Sequence, residues 1–123
     1  MRNAIFWVEI PAKNFNRAKK FYETVFDIEI SMVPIPRGKY GAFPLDAKAL
    51  GAGGGIVEGD GYEPSDKAAI VYMDRFEDLN IPLAKVEKAG GKILFPKTEN
   101  SGFGFIAQFI DSEGNRIGLH SYN

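Results

Sequence analysis

The chain of 123 residues contains no cysteine, one histidine and one tryptophan. The lack of cysteine excludes disulfides, thiolate catalysis and Cys-ligated metals, and fits a cytoplasmic setting. A single histidine excludes any zinc site built from two or three His of one chain. No apolar run reaches the length of a membrane span, and the opening residues Met1–Phe6 enter a strand without the layout of a signal peptide. The net charge of −1 supplies no general pull toward nucleic acid or an anionic membrane. What is present is apolar and aromatic. Hydrophobic residues make up 45% of the chain and ten of its residues are Phe, enough for a core or cavity rich in rings.

The strongest local signal is Asp111-Ser112-Glu113-Gly114-Asn115, a polar turn between the strand-like runs 103–110 and 116–122. Gly114-Asn115 suits a tight reversal, so the last twenty residues read as a β-hairpin. Earlier, 4–10 reads as a strand with Trp7 and Glu9 on one face and Phe6, Val8 and Ile10 on the other. Asn14 is a good N-cap for a helix ending near Phe26, with Phe15, Ala18, Phe21, Tyr22 and Val25 as its apolar stripe. Strands are expected at 28–35, 38–43 and 51–57. The glycines of the last imply close backbone approach or a bulge; no Lys-Ser or Lys-Thr follows them, which argues against a phosphate loop.

Residues 58–66 form a linker-like segment. A strand at 68–73 follows. Asp78 then caps a helix whose stripe is Leu79, Leu83, Val86 and Ala89, with Pro82 tolerated in its first turn and Gly90-Gly91 closing it. A strand at 92–95 and the hairpin complete the chain. The order β-α-β-β-β occurs twice, and a shift of 64 residues superposes Asn14 on Asp78, Val25 on Ala89 and Ile30 on Leu94. The expected fold class is α+β: two βαβββ modules, residues 1–60 and 65–123 joined through 61–66, forming a curved mixed sheet around a concave cavity.

This paired arrangement resembles the vicinal oxygen chelate superfamily, which includes glyoxalases, bleomycin-resistance proteins and ring-cleaving dioxygenases. The marks are the capped helix Asn14–Phe26, with Phe21-Tyr22 near its end, and the hairpin Phe109–Leu119, with Asn14 for the usual Asp and Ser112 for the usual Pro. The resemblance implies a small-molecule ligand, a homodimer and, in its metalloenzymes, His, Gln or Glu ligands on the first and fourth strand of each module. Those positions fall on Trp7, Gly54, Val71 and Gly118, none of which binds a metal through its side chain. Neither metal nor cofactor is therefore expected.

Glu9 and His120 lie two residues beyond Trp7 and Gly118 and share the expected concave face. They are the candidate acid and base of a metal-free lyase or isomerase. With Glu58 they are the candidate ligands of a displaced metal site, and their third role is a plain rim contact. Trp7, Met73 and Gln108 are the candidate ligand-binding residues: a ring for stacking, a soft wall and a lone amide in an apolar strand. The two functional classes left open are a binding protein and an enzyme. The segment Lys97–Gly102 is expected at the mouth of the pocket.

Overall fold

The alternation Trp7-Val8-Glu9-Ile10 becomes strand β1 (Trp7–Pro11) of the computed structural model, which describes residues 2–74 and 76–123; Met1 and Arg75 lie outside the described residues. Asn14 is still extended and its Oδ1 accepts the Arg17 amide at 3.1 Å, starting helix α1 (Phe15–Phe26). The helix stops where Asp27 turns left-handed. Its five stripe residues are all buried, as their spacing requires.

Strands β2 (Ser31–Val33), β3 (Lys39–Ala42) and β4 (Gly53–Glu58) complete the first sheet, in the order β1-β4-β3-β2 with β1 and β4 parallel. The second module repeats this with β5 (Val71–Met73), α2 (Asn80–Leu83), β6 (Lys92–Glu99), β7 (Phe105–Ile110) and β8 (Arg116–Ser121). Its order is β5-β8-β7-β6, again with the first and last strands parallel. The same permutation in both halves is the duplication that the sequence pattern implies. The helix-facing sides of both sheets and α1 share one core, with Phe15, Phe21, Tyr22 and Ile56 in contact with the same cluster as Leu79, Phe109 and Leu119.

Several boundaries differ from expectation. β2 and β5 are only three residues long, whereas β6 runs four residues past Phe95. β6 lies at the sheet's edge, where Pro96 is tolerated. Helix α2 is a single turn instead of a run to Ala89. Bonds reach four residues back at Leu83 and Ala84, then only three back at Lys85 and Val86. The segment goes on as turns to Gly90. Leu79, Leu83 and Val86 are buried all the same.

The 111–115 hairpin turn docks the second module onto α1. The buried Asp111 carboxylate accepts from the Tyr22 hydroxyl (2.5 Å), from the amides of Glu113 (2.8 Å) and Asn115 (2.9 Å), and from Asn115 Nδ2 (3.0 Å). Glu113 accepts the Asn14 amide at 2.7 Å and both Nε and Nη2 of Arg17. Asn115 also donates to the Pro11 carbonyl at 2.8 Å. Gly114 alone in the turn has positive φ, at 101°.

Candidate functional site

β1 presents two faces, and each leads to a different feature. Val8 and Ile10 face an apolar cleft of about 780 Å³ between the modules. Its other wall is β5, with Val71 and Met73, and the residue before it, Ile70; its floor is Phe26 and Phe76, whose rings stack with centroids 5.6 Å apart. The loop that joins β3 to β4 closes one side with Leu45 and Leu50. Asp46 and Asp74 are the only charged residues among the described lining.

Trp7 and Glu9 lie on the opposite face of β1. Trp7 Nε1 donates to the Tyr40 hydroxyl at 2.7 Å, and the Glu9 carboxylate stands beside that same hydroxyl. Burial raises the Tyr40 pKa; the Trp7 bond works against the rise, and Glu9 adds to it. The rings lie directly on glycine backbone. A Cβ on Gly53 would sit 2.8 Å from the Trp7 ring, and one on Gly55 2.6 Å from the Tyr40 ring. The close approach expected from the glycine-rich strand is real, and its cause is these two rings.

The second module has the same device. Tyr72 pairs with Gly118, and a Cβ on Gly118 would collide with the Tyr72 ring. Here the assignment of Val71 and Gly54 to the concave face is corrected. The core takes Ile10 and Ile56 from the first module but Ile117 and Leu119 from the second, while the rings of Trp7 and Tyr72 lie over glycines on the other face, so the faces of these strands match at an odd shift and not at 64. Val71 and Gly54 therefore face the cleft, and Tyr72 and Gly55 face outward. The segment 69–73 is apolar throughout, so no alternation marked its outward side.

Gln108 is buried beside Tyr72. Its Nε2 donates to the Tyr72 hydroxyl at 2.6 Å, and its Oε1 accepts from Arg116 Nε at 2.7 Å. Met73 lines the cleft, on the other face of β5 from Tyr72.

Glu9 and His120 are not brought together. They belong to different sheets, and His120 has partners of its own. Its Nδ1 lies 2.8 Å from Asp74 Oδ2 and its Nε2 2.5 Å from the Phe103 carbonyl. Only the imidazolium donates to both. The Phe103 carbonyl raises the His120 pKa most, partial burial opposes this, and Asp74 adds to the rise. His120 thus clips β8 to the end of β5 and to the β6–β7 connection. Asp74, Tyr40 and Arg116 are the partners that spacing within strands could not reveal.

Trp7 and Tyr72 offer rings, and the glycines opposite are covered by them. Among the described residues no three His, Asp or Glu side chains gather where they could hold a metal. No helix among the described residues is long and apolar enough to cross a membrane.

No family model matches the chain, and no curated protein matches it. Solved structures do. A glyoxalase/bleomycin resistance protein from Albidiferax ferrireducens superposes with a TM-score of 0.73 at 16% identity, over 97% of this chain and 98% of that one. One from Streptomyces sp. CB03234 gives 0.72 at 20% identity, over 96% and 100%. A glyoxalase I variant from Zea mays gives 0.70 at 19% identity over 95% of this chain, which spans only 45% of that protein's length. The chain shares the fold of these glyoxalase and glyoxalase/bleomycin resistance proteins, two paired βαβββ modules.

Proposed function

We propose that this chain is a small-molecule binding protein that works without a metal and holds a flat, mainly apolar ligand in the cleft between its modules. The supporting observation is the cleft itself. Its volume of about 780 Å³ falls within the range of about 300–1,000 Å³ usual for ligand sites, and apolar walls with few polar groups are the usual lining. Met73 provides the adaptable wall. Trp7 reports on the site from behind, since its ring lies over Gly53 beside Leu45, and both of those residues line the cleft. Aromatic rings over Gly53, Gly55 and Gly118 favour loss of the fold's metal chemistry. An acid–base enzyme using Glu9 and His120 needs both groups at one substrate; their places in separate sheets favour the binding reading.

The chain forms a homodimer in this proposal. It exposes 8060 Å², whereas a compact monomer of this length exposes about 6,600 Å². The surplus includes Phe6, Met32 and Ile81, which line neither the cleft nor any other pocket, so a second copy has apolar surface to cover. A cytoplasmic place, with no nucleic-acid partner, accords with the balanced charge and the lack of cysteine.

The test is titration with N-phenyl-1-naphthylamine, a neutral planar probe. Saturable enhancement of its emission, with quenching of the single Trp7, is expected. Ala69→Phe fills the cleft from its exposed wall and should abolish both signals. Unsaturable binding, or equal binding by Ala69→Phe, would reject the cleft as the site.

A further inference from the structure

A second pocket, of about 400 Å³, lies on the second module and is lined by Asp66, Lys92, Leu94, Phe95, Ile110 and Arg116. We propose that Arg116 anchors an anion site there, one that takes a small carboxylate with an apolar body. The guanidinium is held from behind. Gln108, 6% exposed, fixes Arg116 Nε through its Oε1, while its Nε2 is committed to the Tyr72 hydroxyl. Gly118 lets the Tyr72 ring lie flat on β8, which brings that hydroxyl within reach of Gln108. Arg116 therefore keeps a fixed plane with its terminal nitrogens free to point away from Gln108. A planar fork of this kind matches a carboxylate with two parallel hydrogen bonds.

Charge around the pocket favours an anion. Among the described residues no carboxylate lies within salt-bridge distance of Arg116. Asp66 is the only acid in the lining, and it is paired at 3.5 Å with Lys67. Lys92 adds a second cation to the lining. The apolar half of the pocket comes from a bulge in β6. Ile93 pairs with Phe109 and Phe95 with Gln108, so Leu94 is an extra residue on its strand. The bulge puts the consecutive residues Leu94 and Phe95 on one pocket, which regular alternation forbids. Apolar flanks beside a guanidinium select a carboxylate on a hydrocarbon or ring over a bare oxyanion. This site is independent of the cleft, with which it shares no lining residue.

The experiment is titration of the ¹⁵N-labelled protein with benzoate and, separately, with inorganic phosphate at low salt, followed by amide shifts. Benzoate should shift amides of 92–95 and 108–116 saturably, more tightly than phosphate, and added salt should weaken it. Arg116→Gln should weaken benzoate about tenfold or more, and Arg116→Lys should fall between the two, because charge stays and the fork goes. Gln108→Leu should also weaken it by freeing the guanidinium, and Ala69→Phe should leave it unchanged. No saturable benzoate shift, unchanged affinity in Arg116→Gln, or phosphate tighter than benzoate would overturn the proposal.

Discussion

The seam between the two modules is closed at one end and open at the other. At the closed end, Asp111, Glu113 and Asn115 of the last hairpin are buried, and their side chains bond Tyr22, the Asn14 amide and Arg17, and the Pro11 carbonyl. At the open end, β1 and β5 face each other across the apolar cleft with no hydrogen bond between the strands. Polar groups demand complete pairing once buried, so they lock two surfaces in one register. Among the described residues no buried side-chain nitrogen or oxygen lacks a partner. Apolar walls impose no such register, so they can stand apart and leave room for a ligand.

Breaking the closed end should have the largest effect. Asp111→Ala strands the donors of Tyr22, Glu113 and Asn115 in the interior. A loss of about 3 kcal/mol or more is expected in urea unfolding. A loss below about 1 kcal/mol would mean that the turn is not the lock.

Glu113→Gln should cost less, on the order of 1 kcal/mol, because Arg17 is half exposed and its charge is screened. The acid response carries a clearer signature. Burial raises the Glu113 pKa, but the bonds from Arg17, Asn14 and Ser112 together bring it below the ordinary 4.5. A carboxylate lowered in the folded state contributes stability that is present above its unfolded value and lost as pH falls through its folded value. Unfolding followed below pH 4.5 should therefore show a steeper decline in the wild type than in Glu113→Gln.

At the open end, Ile70→Ala removes a large side chain that is already 37% exposed. It should cost about 0.5 kcal/mol, against the 2–5 kcal/mol typical of a packed isoleucine. A cost in the packed range would show that the cleft closes in solution. His120 should give the smallest effect. Its raised pKa makes its contribution full below the ordinary 6.5 and lost as pH rises through the folded value. The melting temperature should drop slightly above pH 6.5 in the wild type and stay flat in His120→Gln.

Legibility in the sequence follows the range of the forces involved. Trp7 and Gln108 were visible as odd choices for plain core, and both take polar partners. Their partners were not visible, because Tyr40 and Tyr72 lie 33 and 36 residues away and are met only across strands. Glu9 and His120 likewise meet partners far along the chain, Tyr40 and Asp74. Side-chain alternation tells which residues share a strand's face, not which sheets those faces belong to.

The sequence by itself determined the cap at Asn14, the apolar stripe of α1, the final hairpin and the twofold βαβββ order. Each rests on contacts within a few residues or on a short period in the pattern. Only the tertiary structure decided that Tyr72 and not Val71 faces outward, that Asp111 binds Tyr22, and that the modules part to leave a cleft. The run 69–73 is apolar on both sides, and the partners of Asp111 and of the cleft walls come from segments far apart in the chain. Such choices are made by packing the whole domain, where complete pairing of buried polar groups outweighs local preference.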